Sequence, residues 1–288
     1  MQFDLISDFH VEMNVPNSAV GAWKEGDPWF FAWHNANSKI LVVAGDTANY
    51  VFSTCDIIKE ASEYYEHVLF TDGNHEHYAS KLLRQTVKSG CRLLNSKFSE
   101  NPGVTYLNGR NTKKIGSTLF IGVNGWYDFM MAFGYNTQAQ RDVWLNESND
   151  SRMIEFGKDD PVKLAIRQSD LLMEHVKTAQ DDRDINEIVI VTHTVPHKKG
   201  LISDPTHPWY PLNGAYGNAL MEKVRYADKT GKIKVWCFGH THFQYDFVED
   251  GIRYVTNPRG YRGEKGFQGL KLIDTKEDLR SAFEKEDL

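Results

Sequence analysis

Five short stretches of this chain combine carboxylates, imidazoles and a carboxamide at spacings suited to holding cations. The first is Asp8-Phe9-His10. In extended backbone, residues two apart point to the same side, so the Asp8 carboxylate and the His10 imidazole can reach one ion. The second is Gly45-Asp46, where glycine permits a tight turn beside a carboxylate whose two oxygens can each meet a different cation. The third, Gly73-Asn74-His75-Glu76, sets a neutral oxygen donor next to a potential proton donor. The fourth is His193, which opens the loop Thr194-Val195-Pro196-His197. The fifth, Gly239-His240-Thr241-His242, again puts two imidazoles on one face across a one-residue spacer. Each has a plainer reading: Asp8 as a cap, Gly45-Asp46 as a turn, His240 and His242 as exposed turn histidines. Taken jointly they point to a site of nitrogen and oxygen ligands. Cys55, Cys91 and Cys237 are widely spaced and offer no competing zinc–thiolate cluster or disulfide framework.

Such ligands need elements that bring them together. Each stretch follows a short apolar run rich in β-branched residues, namely FDLIS, ILVVA, VLFTD, IVIVT and VWCF, and these runs read as buried strands. Helical character falls between them at 51–65, 79–90, 160–180 and 218–227, the alternation of an α/β fold. The ligand-type residues then lie at strand C-termini, where α/β sheets bind their ligands. LFIGVNGW at 119–126 adds a strand, and 244–248, 252–256 and 270–273 read as a closing antiparallel meander, so a mixed sheet system is expected. With no internal repeat, low-complexity tract or linker, residues 1–288 are expected to form one domain. Two aromatic-rich insertions stand out. The segment at about 15–35 carries Trp23, Trp29, Phe30, Phe31 and Trp33, and that at about 124–150 carries Trp126, Tyr127, Phe129, Phe133, Tyr135 and Trp144. Aromatics of this kind chiefly pack loops onto the body, and the alternative is a rim that stacks a flat group.

Composition narrows the partners. A hydrophobic fraction of 41% and a charged fraction of 25% are those of an ordinary globular protein. The net charge of -6 leaves no broad basic face, so long duplex nucleic acid is disfavoured. A small phosphorylated molecule needs only a local cationic site and remains open. No basic leader, secretory signal or membrane-length apolar run is apparent, and a cytoplasmic protein is expected. Oligomeric state is not legible.

Read in order, the stretches spell D-x-H, G-D, G-N-H-[DE], H and G-H-x-H from residue 8 to residue 242. In this the chain resembles the calcineurin-like metallophosphoesterase superfamily, and 255–261, VTNPRGY, is similar to the NPRGY ending of many bacterial and phage members. The resemblance implies a four-layer α/β/β/α sandwich of two mixed sheets flanked by helices. It further implies that Asp8, His10, Asp46 and His242 hold one divalent ion and Asp46, Asn74, His193 and His240 another, with Asp46 as the bridge. His75 would lie beside the ions without coordinating them and would protonate a leaving oxygen. The implied activity is hydrolysis of a phosphodiester or phosphomonoester by a hydroxide shared between ions about 3.5–4 Å apart, and the aromatic insertions point to a small, nucleotide-like substrate. About +4 from two ions, less two carboxylates and one hydroxide, leaves roughly +1 to attract phosphate. A mixed nitrogen and oxygen shell suits manganese, iron, zinc or nickel better than calcium.

The chain departs from one branch of the superfamily. Where Ser/Thr protein phosphatases carry Asp-Arg-Gly, it reads Thr47-Ala48-Asn49-Tyr50, which argues against that branch. Arg259 and Arg262 become the candidate phosphate contacts, with Lys198 and Lys199 as poorer ones and His77 as an extra substrate contact. Surface solvation is the plainer reading for the arginines and lysines, and an ordinary loop residue for His77. Asp72 and Glu76 are candidate orienting partners for His75. His34, His67, His175, His197 and His207 match no motif. Rival functions are a nuclease acting on single-stranded or short nucleic acid and a non-catalytic protein-binding scaffold.

Overall fold

The computed structural model describes residues 1–14, 33, 35–78, 82–132, 136–264 and 266–277. The elements in chain order are β1 (Gln2–Ile6), α1 (Val11–Asn14), β2 (Ile40–Ala44), α2 (Val51–Ala61), β3 (His67–Thr71), α3 (Val87–Phe98), β4 (Val104–Tyr106), β5 (Lys113–Ile115) and β6 (Thr118–Val123). They continue with α4 (Thr137–Glu147), α5 (Asn149–Met153), α6 (Pro161–Asp181), β7 (Glu187–Thr192), α7 (Met221–Ala227), β8 (Ile233–Phe238), β9 (Asp246–Glu249), β10 (Ile252–Thr256) and β11 (Lys271–Asp274).

Two mixed sheets carry the architecture, one in the order β11-β1-β2-β3-β4 and the other in the order β5-β6-β7-β8-β10-β9. In the first, β1 to β4 are parallel and β11 runs antiparallel to β1. In the second, β6, β7, β8 and β10 are parallel, with β5 and β9 antiparallel at the edges. Side-chain alternation explains the layers. Along ILVVA, Ile40, Val42 and Ala44 meet Phe120, Val189 and Val235 of the facing sheet, whereas Leu41 and Val43 turn outward to Ile57 and Ile58 of α2 and Leu94 of α3. With both faces covered, the run is apolar throughout instead of alternating. The second sheet repeats the scheme, packing Ile121 and Ile190 against Leu172 and Val176 of α6 and Val224 of α7. The result is the α/β/β/α arrangement expected from the sequence.

Some expectations about elements need correction. The helix expected at 79–90 lies instead at Val87–Phe98, because Thr86 forms a capping box with Ser89 that starts it there. Just before the cap, Arg84 has φ of 52°, incompatible with continuing a right-handed helix. The closing strands form no meander. Only β9 and β10 pair antiparallel, β10 lies parallel to β8, and β11 crosses to the other sheet to pair with β1. Of the first aromatic insertion, Trp33 is buried and stacks on Phe9, and most of the rest lies outside the described residues. In the second, Trp126, Tyr127, Phe129 and Trp144 form a buried cluster of their own.

Candidate metal centre

The five stretches lie at one edge, each following the C-terminus of a parallel strand: β1, β2 and β3 in the first sheet, β7 and β8 in the second. Backbone hydrogen bonds lace their loops together. Asp8 N–H donates to the Gly45 carbonyl (3.0 Å), His10 N–H to that of Asp46 (3.0 Å), and Gly239 N–H to that of His193 (2.9 Å). Asp8, His10, Asp46, His240 and His242 have φ of 50°, 43°, 52°, 75° and 59°. Non-glycine residues rarely sit in the left-handed region, and five together at one edge mark a place where backbone strain is tolerated for function. The glycines of the motifs have a complementary reason. A Cβ on Gly73 would overlap the Asp46 carboxylate, and one on Gly239 would overlap that of Asp8.

The side chains converge in two groups that share Asp46. His193 Nε2 lies 2.9 Å from Asn74 Oδ1 and 3.1 Å from His240 Nδ1, and 3.2 Å from Asp46 Oδ2. On the other flank, His10 Nε2 is 3.0 Å from His242 Nε2 and 3.7 Å from Asp46 Oδ2, while His242 Nε2 is 3.5 Å from Asp8 Oδ1. A cation with bonds of about 2.0–2.2 Å to tetrahedral ligands spaces its donors roughly 3.4 Å apart, close to these separations.

The outer ring nitrogens test whether cations fit. His193 Nδ1–H donates to the Ala44 carbonyl (3.0 Å), His240 Nε2–H to that of Ala215 (3.1 Å), and His242 Nδ1–H to the Glu264 carboxylate (2.8 Å). All three partners only accept, so the inner nitrogens are left as lone pairs that face one another and need a cation or a proton between them. Burial, and then the neighbouring His193, pushes His240 down to about 3. Burial likewise lowers His75 to about 4. His193 goes the other way: against burial, the Asp46 carboxylate pulls it up to about 10. It retains a proton that a divalent ion would displace. The residues present therefore fit divalent ions.

Around the candidate ligands, the structure gives Glu76 and Asp72 partners other than the one expected from the sequence. Glu76 accepts from the N–H groups of Thr47 (2.7 Å), Gly73 (2.7 Å) and Asp46 (3.2 Å), and so clamps the second and third loops together. Asp72 accepts from Tyr106 OH (2.7 Å) and pairs with His77 (2.8 Å). Neither carboxylate touches the His75 ring, whose Nδ1–H donates instead to Asn49 Oδ1 (2.6 Å). On its far side, His75 Nε2 accepts from the Tyr261 hydroxyl (3.2 Å). Asp150 is a further addition, since it accepts from Asn74 Nδ2 (2.9 Å) and turns the amide oxygen toward His193.

Above the ligands opens a cleft of about 220 Å³ whose walls include Tyr78, Asp150, Trp209, Tyr216 and Tyr261. Its aromatic wall therefore comes, among the described residues, from Tyr78, Trp209, Tyr216 and Tyr261 and not from Trp126, Tyr127, Phe129 or Trp144, while Phe133 and Tyr135 lie outside the described residues. Glu147 and Asp150 make the lining acidic, and it contains no lysine or arginine among the described residues. Arg259 lies over the Phe267 ring at 5.5 Å, Arg262 is exposed, Lys199 pairs with Glu249, and Lys198 lines a different pocket. His77 is buried in its pair with Asp72, away from the cleft. None of these five forms part of the cleft wall.

Sheets, ligand groups and cleft together define a metal-dependent hydrolase. The family described as calcineurin-like phosphoesterase matches residues 1–244, and the chain belongs to it. It is a metal-dependent phosphoric ester hydrolase with the fold of that family. Protein L509 of Acanthamoeba polyphaga mimivirus is 24% identical over 277 residues, covering 93% of this chain and 95% of L509. The crystal structure of phosphopantetheinyl hydrolase (PptH) from Mycobacterium tuberculosis superposes with a TM-score of 0.71 at 15% identity, covering 94% of this chain and 95% of that one. Among the described residues, no helix is long and apolar enough to cross a membrane.

Proposed function

We propose that the chain, acting as one domain, hydrolyses a phosphodiester or phosphomonoester of a small, nucleotide-like molecule at two divalent ions. The observation that carries this reading is the pair of ligand groups meeting at Asp46 Oδ2, which faces His193 at 3.2 Å and His10 at 3.7 Å. Asp8, His10, Asp46 and His242 would hold one ion, and Asp46, Asn74, His193 and His240 the other. When bound, such ions supply Lewis acidity toward phosphoryl oxygens and a water activated for attack at phosphorus.

The chain's own groups complete the chemistry. His75 stands beside Asp46, its ring 3.9 Å from Oδ2, and faces the cleft as the group to protonate or hydrogen-bond a leaving oxygen. Because the cleft wall carries acids and, among the described residues, no lysine or arginine, the phosphoryl group depends on the ions for its positive partner. The same acids disfavour substrates with several phosphates and argue against a nuclease tracking a polyanion. Trp209 and Tyr216 give a flat organic group a surface to stack on. Cys55, Cys91 and Cys237 are free thiols, which suits a cytoplasmic setting.

The test is hydrolysis of a chromogenic phosphodiester and monoester by protein loaded in turn with manganese, iron, zinc and nickel. Nucleoside phosphates, cyclic nucleotides and a phosphopantetheinyl ester serve as candidate substrates. Asp46→Asn is expected to lose both ions by elemental analysis, whereas His75→Ala retains them while kcat on an alkyl ester, whose leaving oxygen needs a proton, falls about 100-fold. Inactivity with two ions bound per chain would falsify the proposal.

A further inference from the structure

The loop at 257–264 is bound to the candidate site at several points. Arg259 N–H donates to the Ser7 carbonyl and Gly260 N–H to that of Asp8, both at 2.9 Å. Glu264 accepts from Tyr261 N–H (2.9 Å) and from His242 Nδ1–H (2.8 Å). These anchors lay the Tyr261 ring against His10 and His242, with centroid separations of 4.7 and 4.6 Å. The hydroxyl thereby reaches His75 Nε2 at 3.2 Å, on the wall of the cleft.

His75 is held from both ends. Asn49 Oδ1 can only accept, so at 2.6 Å it takes the Nδ1–H of the ring. In a neutral imidazole, Nε2 is then the acceptor, and the Tyr261 hydroxyl supplies its hydrogen. Tyr78 stacks on one face of the ring with centroids 3.9 Å apart, which sets its plane but leaves to the two polar partners the choice between the two ring orientations related by a half-turn about Cβ–Cγ. Resting on the phosphoesterase reading, we propose that Tyr261 is a positioning residue for His75. Its hydroxyl, with Asn49, fixes the imidazole with its Nε2 edge toward the cleft. To protonate a leaving oxygen, the ring takes up a proton from solvent at Nε2 while Nδ1–H stays on Asn49, and it gives that Nε2 proton to the oxygen as the P–O bond breaks. The loop at 257–264 thus carries part of the reaction's geometry.

The experiment compares Tyr261→Phe, which keeps the ring and deletes one oxygen, with His75→Ala and the double variant, all zinc-loaded. In Tyr261→Phe, bound zinc, thermal midpoint and KM are expected to stay unchanged. On an alkyl ester, kcat is expected to fall about ten-fold. On a p-nitrophenyl ester, whose leaving group needs no proton, the change is expected to be small. In the His75→Ala background, deleting the hydroxyl should cost nothing further, because a group acting through His75 has nothing left to position. Nitrogen-15 spectra of the imidazoles, which need no turnover, should show His75 protonated at Nδ1 and its Nε2 resonance displaced in Tyr261→Phe. Full kcat in Tyr261→Phe on the alkyl ester, an equal loss with and without His75, or an unmoved Nε2 resonance overturns the proposal. Absence of turnover in every metal-loaded form defeats the phosphoesterase reading instead, and the nitrogen spectra still decide whether Tyr261 holds His75.

Discussion

Asp150 is buried and accepts three hydrogen bonds, from Asn74 Nδ2 (2.9 Å), Tyr78 OH (2.8 Å) and Tyr127 OH (3.0 Å). An asparagine amide can present either end, and a carboxylate on the NH2 side leaves the oxygen for a cation. In Asp150→Ala, that choice is lost. Affinity for one ion is expected to fall about 10–100-fold with the other unchanged, as read by calorimetric titration. Equal weakening of both ions would show that Asp150 acts on the fold and not on Asn74. Asp8, His10, Asp46, Asn74, His193, His240 and His242 were legible as candidate ligands because ligand-type residues recur at strand ends with short, repeated spacings. Asp150 was not, because a carboxylate in a loop is the commonest of surface features and only its neighbours in space give it a role.

At the scale of elements, one charged cluster ties the two sheets. Arg253 of β10, 7% exposed, makes a bidentate pair with Asp246 of β9, both bonds at 2.8 Å. Lys271 of β11, in the opposite sheet, reaches the same carboxylate at 2.9 Å. Although burial opposes it, hydrogen bonds from Arg253 and Lys271 hold Asp246 below the ordinary carboxylate value of 3.8. A group whose pKa is depressed on folding stabilises the native state above its unfolded pKa and ceases to do so as pH falls through the folded one. Asp246→Asn should therefore cost about 2 kcal/mol at neutral pH in urea unfolding. That deficit should shrink progressively below pH 3.8, and a deficit independent of pH would rule out this origin. The same elements show why β11 was misplaced. Its alternation is as compatible with one sheet as with the other, and only the pairing of Phe3 with Ile273 across the length of the chain decides between them.

At the scale of the molecule, the candidate centre spans both sheets. Asp8, His10, Asp46 and Asn74 follow strands of the first sheet, and His193, His240 and His242 follow strands of the second. Ions held there would fasten the two layers at one edge, so binding should stabilise the whole fold. At 100 times the dissociation constant, one ion contributes about 2.7 kcal/mol, which for a chain of this size corresponds to a rise in Tm of roughly 5–10 °C. Calorimetry should show Tm falling by that amount on chelation and recovering on metal addition in the native chain and in His75→Ala. Asp46→Asn should show no such response. A native chain indifferent to chelation would remove the ions from this structural role.

By itself, the amino-acid sequence determined which residues could be ligands, that apolar runs would bury them at strand ends, and that helices and strands would alternate along the chain. Those are properties of neighbours along the chain, where side-chain period and short spacing carry the signal. The tertiary structure alone decided which strands pair, which ring nitrogens face inward, and that Asn49, Asp150, Tyr261 and Glu264 surround the ligands. These depend on contacts between residues far apart along the chain, such as the Asn257 amide on the Leu5 carbonyl, 252 positions away. No local pattern encodes such contacts, because their energy appears only once the two sheets have closed on each other.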